Sequence, residues 1–422
     1  MTIVDSLSTL HMLGLHSELE RALRWVETEL SFAAITTRVS FFEVVIRLVG
    51  GLISGFEITG KKRLLDLAQE LADLIIASAT DDGTRFFPRP YIYLSRPWYV
   101  KLWDRFWDHF ESPTAIIVAG SVQLEFRRLS DHTGVLSYRT LAERWSAHID
   151  TTQNSAVGNR PSGKGLFPLG FDPKGVATFL RAAGLDGGGD SFHEYLLKLW
   201  VMSNRTCAIC LERWRTVSKA LIENSDMDEF QGIFVPYHGE SPPGVVTHLS
   251  CFSAGLFALS SYSLVDVDKE MSTKHRVIAE RIADTCHRLT LSTKTGLPRE
   301  ATVLFDDTAL RKEEVRQYRL RPEILESYFY LHRLTGSLQY RIWAWDLFHA
   351  IVKNCYVRQG NSFATLHDVD DTSAQPQHED RMETFWLAET LKYLYLIFSE
   401  DNVLNLGMYV LTTEGHPLRV IG

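Results

Sequence analysis

The sequence predicts an all-α fold in which helical hairpins form a closed ring. Apolar residues recur at helical spacing through most of the chain, whereas strand-like alternation is scarce. One local pattern also occurs three times, as FEITGKKRLLDLA, LSDHTGVLSYRTLA and LHRLTGSLQYRIWA. Recurring hairpins indicate a solenoid or a ring. We favour the ring because terminal repeats with polar caps are not evident, and an open helical scaffold is the alternative.

Each copy of the repeated pattern places a Thr-Gly step between two amphipathic segments. Gly60, Gly134 and Gly336 stand where a helix end favours a left-handed residue, so we expect each to separate two helices. Other long helical patterns are FFEVVIRLVGGLISGF, LLKLWVMSNRTCAICLERWRTVSKALIE and METFWLAETLKYLYLIF. No linker rich in proline, serine and glycine divides the chain, and we therefore expect one domain over residues 1–422.

Composition excludes several classes of protein. The chain has 422 residues, 45% of them hydrophobic and 23% charged, which is typical of globular domains. Its net charge of -8 argues against nucleic acid as a partner, because phosphate binding needs a basic surface. No apolar stretch reaches the ~18 to 20 residues of a membrane span, and the N-terminus lacks the features of a signal peptide.

Cysteine usage indicates little about a binding site. Five cysteines are too few for a fold held together mainly by disulfides. Cys207 and Cys210 form a CxxC motif, but no second pair completes a zinc site. The pattern therefore indicates buried or incidental thiols at this motif.

Carboxylates within otherwise apolar helical segments are the most informative feature of the sequence. Charged side chains are almost never fully buried unless they are paired or functional. Taken singly, each acid is most simply an ion pair or a helix cap. A ring of helix pairs, however, points its inner helices at one axis, where acids from distant segments would converge. The acids and their basic and aromatic neighbours are Glu43, Arg47, Glu125, Asp190, Glu194, His248, Arg321, Glu323, Glu326, Phe385 and Glu389.

Converging carboxylates with arginines and an aromatic ring are typical of glycoside cleavage. One carboxylic acid protonates the leaving oxygen, and another carboxylate activates water or attacks the sugar. Arginine keeps neighbouring carboxylates ionised, and an aromatic ring such as Phe385 could support a sugar. Acids in excess of two suit a hard cation such as calcium.

Seven motifs spread over nearly the whole chain carry a family resemblance. In chain order they are FFEVVIRLVGGL, VQLEFRRLS, DSFHEYLLK, HLSCF, LRPEILESYFYLHRLTG, METFWLAETLKYLYLIF and TTEGHPL. They resemble the motifs of class I α-1,2-mannosidases, glycoside hydrolase family 47. The resemblance implies an (α/α)7 barrel with a C-terminal β-hairpin-like turn that plugs the barrel. It also implies calcium-dependent, inverting hydrolysis of terminal α-1,2-linked mannose from high-mannose N-glycans by a monomeric protein.

Carried over motif by motif, the resemblance implies roles for individual residues. Glu43 corresponds to the acid, which protonates through a water, and either Asp190 or Glu323 corresponds to the base. Thr413 corresponds to the residue that binds Ca²⁺ directly through its hydroxyl and carbonyl oxygens. His248 belongs to the catalytic set. Together with His248, the residues that would line the mannose pocket and the calcium hydration shell are Arg47, Glu125, Arg321, Glu326, Phe385, Glu389 and Glu414.

The resemblance also bears on compartment and completeness. Cys251 and Cys286 fall where the family has its disulfide, which implies an oxidising compartment and hence the secretory pathway. The family's first helix and its signal or membrane anchor have no counterpart in this sequence. We therefore expect an N-terminally truncated catalytic domain.

Several positions depart from the family's motifs. Ser8 replaces an aspartate, His193 a tyrosine, Thr412 an asparagine and Gly415 an alanine. These differences leave open a second function, that of a weak or inactive mannosidase-like protein that binds glycans in glycoprotein quality control. The aromatic segment 86–113 has no counterpart either, and it would be a sugar platform, a packing element or translated non-coding sequence.

Overall fold

Helices dominate the computed structural model, which describes residues 1–33, 35–79, 85–95, 113–153, 165–178, 182–228, 232–237, 239, 244–304 and 314–421. The chain forms two compact units. Unit one comprises Met1–Ala183, Gly188–Ala220 and Leu406–Gly422. Unit two comprises Gly184–Gly187 and Leu221–Asn405. The mainly helical architecture is the one that the sequence predicts.

Unit one holds the N-terminal helices of the chain. They are α1 (Thr2–Asp5), α2 (Leu7–Met12), α3 (His16–Thr28), α4 (Phe41–Glu43), α5 (Gly50–Thr59), α6 (Lys62–Ala79), α7 (Ile116–Gly120), α8 (Gln123–Thr133), α9 (Leu136–Thr151) and α10 (Asp190–Met202). A π-helix over Val44–Val49 connects α4 to α5. Helix α11 (Ala208–Glu223) begins in unit one and ends in unit two.

Unit two is helical as well. Its helices are α12 (Phe252–Leu264), α13 (Lys269–Leu291), α14 (Glu323–Thr335), α15 (Gln339–Cys355) and α16 (Leu391–Phe398). A 3₁₀ helix (Leu249–Cys251) precedes α12, and a second π-helix (Trp386–Thr390) precedes α16. Two further 3₁₀ turns cover Arg358–Gly360 and Asp401–Val403.

Short antiparallel pairs account for the strands of the described residues. In chain order the strands are β1 (Arg38–Ser40), β2 (Tyr91–Tyr93), β3 (Thr114–Ala115), β4 (Gly170–Phe171), β5 (Asp226–Asp228), β6 (Ile233–Val235), β7 (Val245–Thr247), β8 (Ala301–Val303), β9 (Tyr356–Val357), β10 (Ser362–Phe363), β11 (Tyr409–Leu411) and β12 (Pro417–Arg419). They pair in six two-stranded sheets, β1–β2, β3–β4, β5–β6, β7–β8, β9–β10 and β11–β12. The last pair is the C-terminal hairpin implied by the family resemblance.

The three predicted Thr-Gly steps are helix ends in the structure. Gly60, Gly134 and Gly336 have φ angles of 70°, 74° and 71°, in the left-handed region where glycine is free of steric strain. Each glycine lies between two helices that pack against each other, namely α5 and α6, α8 and α9, or α14 and α15. The repeated sequence pattern therefore marks helical hairpins, as predicted.

The two helices of a hairpin differ in burial. In α8 and α14 the buried residues lie on several faces, whereas α9 and α15 bury a narrower stripe. Glu125 lies on α8, and Glu323 and Glu326 lie on α14, so these acids belong to the more buried member of each pair. A buried carboxylate needs a partner or a function, and both are considered below.

One helical pattern is interrupted in the structure. The apolar periodicity over residues 196–223 reads as one continuous helix, but α10 ends at Met202 and α11 begins at Ala208. Asn204 and Arg205 between them adopt left-handed φ angles of 51° and 62°. The turn has neither glycine nor proline, so its sequence carries no strong breaking signal.

The described part of the aromatic segment packs inside unit one. The ring of Phe87 is buried and lies 4.7 Å from the ring of Phe171 and 5.4 Å from that of His148. Strand β2 pairs with β1. This part of the segment is a packing element, and residues 96–112 lie outside the described residues. No helix in the described ranges is long and apolar enough to cross a bilayer.

Candidate active site

A π-helix positions the first pair of candidate residues in unit one. Glu43 ends α4, where its backbone N–H donates to the hydroxyl of Ser40 at 3.3 Å. Arg47 lies within the π-helix over Val44–Val49. Such one-turn π segments inside α-helices occur frequently at functional sites. Here the π-helix keeps Glu43 and Arg47 on one side, and Arg47 Nε donates to Glu43 Oε2 at 2.6 Å.

Arg47 contacts three carboxylates from three parts of unit one. Besides Glu43, its guanidinium forms an ion pair with Glu414 and lies 3.5 Å from Asp5 Oδ2. Burial alone would lower the pKa of Arg47, but the three negative charges raise it above its ordinary value. The arginine side chain is 13% exposed and that of Glu43 is 41% exposed, so Glu43 is the acid of this group that solvent or a ligand can reach.

Glu414 lies in the turn of the C-terminal hairpin and is almost fully buried. Burial raises its pKa well above the ordinary value, and the charge of Asp5 adds to this effect while Arg47 opposes it. Asp5 is fully buried, and its Oδ1 is 3.1 Å from Nε2 of His416. The carboxylates, the arginine and the histidine thus form one buried network around the turn.

Thr412 and Gly415, which depart from the family's motif, hold the turn in shape. Thr412 Oγ1 accepts the backbone N–H groups of Glu414 at 3.3 Å and His416 at 3.1 Å. The N–H of Gly415 donates to the carbonyl of Thr412 at 2.9 Å. Gly415 has a φ of 67°, which glycine adopts without strain. Both replacements are therefore compatible with a well-ordered turn.

Glu125 and Tyr195 connect this turn to two helices of unit one. The Tyr195 hydroxyl donates to Glu125 Oε1 at 2.6 Å and accepts the backbone N–H of Thr413 at 3.3 Å. Burial raises the pKa of Glu125 to about 8, although the hydrogen bond from Tyr195 lowers it. Its second oxygen is buried without a hydrogen-bond partner among the described residues. Glu194 on α10 forms a buried ion pair with Lys198.

Asp190 and His193 lie on α10, one turn apart. Asp190 is the first residue of the helix and is half-buried, whereas His193 is fully buried. Ser8 on α2 is also buried, and its hydroxyl has no hydrogen-bond partner in the described part of the chain. The structure thus places Ser8 and His193, two of the four departures from the family's motifs, in the interior of unit one.

Arg321 joins two carboxylates in unit two. Its Nε donates to Glu300 Oε2 at 2.7 Å, and its Nη1 donates to Glu323 Oε1 at 3.2 Å. The guanidinium also lies 5.8 Å from the ring centroid of Phe385, within cation–π range. Burial raises the pKa of Glu323 to about 7, although the charge of Arg321 opposes the increase. Glu323 therefore changes its protonation state near neutrality.

His248 lies beside Glu323 but does not hydrogen-bond to it. Its Nε2 is 3.8 Å from Glu323 Oε2, and its ring stacks on Tyr318 with centroids 5.8 Å apart. Burial lowers the pKa of His248 well below the ordinary value, and the charge of Arg321 acts in the same direction. Neither the histidine nitrogens nor Glu323 Oε2 have a hydrogen-bond partner within the described ranges. A neutral imidazole and one unanchored carboxylate oxygen thus lie side by side.

Backbone strain is located next to Arg321. Leu320 is fully buried and has a φ of 61°, a left-handed value that is unusual for leucine. The hydroxyl of Thr390, the last residue of the second π-helix, donates to the Leu320 carbonyl at 2.7 Å. Strained backbone held by its surroundings is concentrated at functional sites, and here it directly precedes Arg321.

The remaining predicted residues also lie in unit two. Glu326 is buried on the first turn of α14, and Glu389 is buried in the π-helix that Phe385 precedes. Phe385 itself is half-buried. The described contacts therefore join Glu43, Arg47 and Glu414 in unit one, and Arg321, Glu323 and Phe385 in unit two.

Some participating residues are absent from the sequence-based prediction. Asp5, Tyr195 and His416 belong to the networks of unit one, and Glu300 pairs with Arg321 in unit two. Asp5 in TIVDSL is the same kind of signal as Glu43, an acid among apolar residues of a helical segment. Glu300 follows a Leu-Pro-Arg step outside any helix, and its pattern offers no such signal.

Thr413, the predicted calcium ligand, lies in the turn between β11 and β12. The described residues contain no group of three or more His, Cys, Asp or Glu side chains that could hold a metal ion by themselves. The predicted direct ligand, Thr413, instead offers a hydroxyl and a carbonyl oxygen, and Glu414 follows it. These are the oxygen donors that Ca²⁺ prefers, and an ion with so few protein ligands would retain several waters.

Both cysteine pairs form disulfides. Cys251 and Cys286 are bonded, which confirms the pairing implied by the resemblance. Cys207 and Cys210 are bonded too, so the interpretation of that CxxC motif as buried or incidental thiols is wrong. The sequence pattern places both cysteines within one continuous helix. In the structure Cys207 instead precedes the first residue of α11, and its sulfur bonds to that of Cys210 in the first turn.

Comparisons with known proteins identify relatives of this chain. The family model for glycosyl hydrolase family 47 matches residues 1–420. A mannosyl-oligosaccharide α-1,2-mannosidase IA from Spodoptera frugiperda is 35% identical over the whole chain, and mannosyl-oligosaccharide 1,2-α-mannosidase IB from Homo sapiens is 36% identical. The chain spans 60% and 63%, respectively, of the lengths of these relatives.

A solved structure agrees with the predicted fold class. An α-1,2-mannosidase from Trichoderma reesei superposes with a TM-score of 0.83 at 25% sequence identity, covering 100% of this chain and 90% of that one. The prediction of an all-α fold of the (α/α)7 barrel class is thereby confirmed. The family model and the full-chain relatives together show that this chain belongs to glycosyl hydrolase family 47.

Proposed function

We propose that this protein hydrolyses terminal α-1,2-linked mannose from high-mannose N-glycans, with inversion and in a calcium-dependent reaction. The names of its relatives support the reaction class. The observation that carries the proposal furthest is the state of Glu323. One of its oxygens is anchored by Arg321, the other is unanchored among the described residues, and its pKa is near 7.

These properties suit a general base. A base is most effective when its pKa lies close to the working pH, and the pKa of Glu323 is raised to about 7. Arg321 orients the carboxylate, so that the unanchored oxygen would accept a proton from the attacking water. We therefore assign the role of base to Glu323 rather than Asp190.

Glu43 is proposed as the general acid. It is the most exposed carboxylate around Arg47, and a proton on it could pass to the leaving oxygen through a water. Arg47 holds Glu43 in place from one side. In an inverting glycosidase the acid and base act on opposite sides of the sugar, without a covalent intermediate.

Calcium is proposed to bind at the turn that contains Thr413. The hydroxyl and carbonyl oxygens of Thr413 would hold the ion, and Glu414 would hold its waters. When bound, Ca²⁺ supplies a positive charge that coordinates and orients hydroxyl oxygens of a sugar. The backbone N–H of Thr413 is already held by Tyr195, which orders the residue before any ion binds.

The proposed setting is the secretory pathway, with a monomeric protein that acts on glycoproteins. Two disulfides support an oxidising compartment. A second candidate function, glycan binding with little or no turnover, is favoured by His193 and Ser8. Both lie buried in unit one where the family's motifs have other residues.

Release of mannose from α-1,2-linked mannobiose tests the two functions. The enzyme is expected to release mannose, to lose this activity with a calcium chelator and to regain it when Ca²⁺ is added. Proton NMR of the first product should show inversion at the anomeric carbon. Folded protein that binds the disaccharide but releases no mannose at any calcium concentration would support glycan binding instead.

A further inference from the structure

The Cys207–Cys210 disulfide has no part in the proposed hydrolysis. We propose that it is a site of thiol–disulfide exchange, at which this protein accepts an electron pair from the dithiol of a partner protein. The inference does not depend on the proposed mannosidase activity. It follows from the position of the two cysteines at the start of α11, the unequal burial of these residues and the short loop that their bond closes.

Cys207 occupies the N-cap position of α11. Its carbonyl accepts the first helical hydrogen bond, from Leu211 N–H at 3.2 Å, and its Sγ accepts the N–H of Cys210 at 3.3 Å. The N–H of Cys207 donates to the hydroxyl of Ser203 at 3.0 Å. A thiolate at Cys207 would therefore keep a backbone donor at the positive end of a helix of 16 residues. Helix N-termini stabilise thiolates in this way in reactive CxxC motifs.

Only one of the two sulfurs belongs to a residue that reaches the surface. Cys207 is half-buried, whereas Cys210 is 2% exposed. Between them Ala208 is exposed and Ile209 is 61% exposed. An incoming thiol therefore meets Cys207 first, beside the exposed side chains of Ala208 and Ile209.

The second disulfide of the chain has the opposite properties. Cys251 and Cys286 are both buried and are separated by 35 residues, whereas Cys207 and Cys210 are separated by 3. A disulfide stabilises chiefly by restricting the unfolded chain, and it does so more for a longer loop. Opening the Cys207–Cys210 bond should therefore leave the fold intact.

The exchange proceeds in two balanced steps. A partner thiolate attacks Cys207 Sγ, the bond to Cys210 breaks, and Cys210 leaves as a thiolate that takes up a proton. The partner's second thiolate then attacks the partner's first sulfur, which is bonded to Cys207 in the mixed disulfide. This attack releases Cys207 as a thiolate, which takes up a proton. The partner dithiol is oxidised to a disulfide, and Cys207 and Cys210 are reduced to thiols by the same two electrons.

Reduction of the folded protein tests the proposal. The protein is incubated in graded dithiothreitol, new thiols are alkylated, and each cysteine is quantified by peptide mass spectrometry. We expect Cys207 and Cys210 to be labelled at a reductant concentration at least tenfold below that needed for Cys251 and Cys286. Cys355, which is buried and free, should stay unlabelled and so report that the fold is intact. Labelling of all five cysteines together would overturn the proposal.

Two matched variants test the order of attack. In Cys210→Ser the free Cys207 should attack oxidised glutathione and form a stable mixed disulfide. In Cys207→Ser the serine keeps an oxygen at the N-cap, and the buried Cys210 should react at least tenfold more slowly. Equal rates in the two variants would overturn the assignment of Cys207 as the exchanging sulfur. Should either variant fail to fold, the wild-type labelling experiment still decides between an exchangeable and a structural disulfide.

Discussion

Glu414 forms an ion pair with Arg47 although 367 residues separate them in the chain. The contact ties the C-terminal hairpin turn to the π-helix that carries the proposed acid, Glu43. Because Arg47 also contacts Asp5, a single guanidinium balances three carboxylates, of which Asp5 and Glu414 are buried. The order of the turn therefore depends on a charge supplied from the other end of the sequence.

Arg47→Met is expected to lower the free energy of unfolding by roughly 3 to 5 kcal/mol, because it leaves buried carboxylates without their counter-charge. The double variant Arg47→Met/Glu414→Gln should lower the free energy of unfolding by less than the sum of the two single changes. The difference should be at least about 1 kcal/mol. Urea denaturation of all three variants measures this coupling.

Arg21→Met provides the control for this cycle. Arg21 pairs with Glu18 on the surface, with the two side chains 78% and 45% exposed, so its loss should be nearly neutral. Additive effects of the Arg47 and Glu414 changes would contradict the network described for unit one.

Glu323→Gln is expected to lower kcat by roughly 10²- to 10⁴-fold while glycan binding is retained, since the amide keeps the shape of the side chain but cannot accept the proton. Mannose release and isothermal calorimetry with mannobiose measure the two properties separately. Glu280→Gln, on the surface of α13, is a matched control that should retain the wild-type rate. If Glu323→Gln also retains that rate, Asp190 takes the role of base.

The pH dependence of hydrolysis should reflect the same carboxyl group. A base acts when deprotonated, so kcat/KM is expected to rise with pH through about 7, the pKa of Glu323. Burial raises this pKa and Arg321 lowers it. Arg321→Met should therefore move the rise to higher pH, and Arg321→Lys, which keeps the positive charge, should move it less. An unchanged pH profile in both variants would separate Arg321 from the base.

Glu125 should make stability decrease as pH rises. Burial raises its pKa to about 8 in the folded state, so the folded protein binds its proton more tightly than the unfolded chain does. Stability from this group is complete below the unfolded-state pKa and is lost as pH rises towards 8. Glu125→Gln should make the free energy of unfolding decrease less steeply with pH, by up to about 1.4 kcal/mol per pH unit. Urea denaturation from pH 5 to 8 measures the slope, and Glu212→Gln on the surface should leave it unchanged.

The hairpin ends could be predicted from the sequence because the physics that sets them is local. Gly60, Gly134 and Gly336 each follow a threonine at the end of an apolar pattern, and only glycine enters the left-handed region without strain. The Cys251–Cys286 pairing followed from the family resemblance alone. No spacing rule in the sequence joins those two residues.

The partners of the buried acids could not be predicted in the same way. An acid among apolar residues signals that a partner or function exists, but the pattern does not say which residue supplies it. The pattern therefore does not identify Asp5 as a partner of Arg47, or Glu300 as a partner of Arg321. The sequence does not predict the Cys207–Cys210 bond for a related reason, because apolar periodicity continues across a turn that lacks glycine and proline.

Thr412→Val is expected to loosen the turn that would hold Ca²⁺. The Thr412 hydroxyl accepts two backbone N–H groups, and it is fully buried, so valine would leave both donors unsatisfied in a space of the same shape. The cost should be roughly 1 to 3 kcal/mol of stability.

Thr412→Asn should be tolerated, because an asparagine oxygen can accept the same N–H groups in an Asx turn. A calcium titration followed by thermal unfolding measures both effects, since an ion that binds the folded state raises the Tm. We expect Thr412→Val to need more Ca²⁺ than the wild type for the same increase in Tm, and Thr412→Asn to behave as the wild type does. Equal calcium dependence in all three proteins would show that the ion does not bind at this turn.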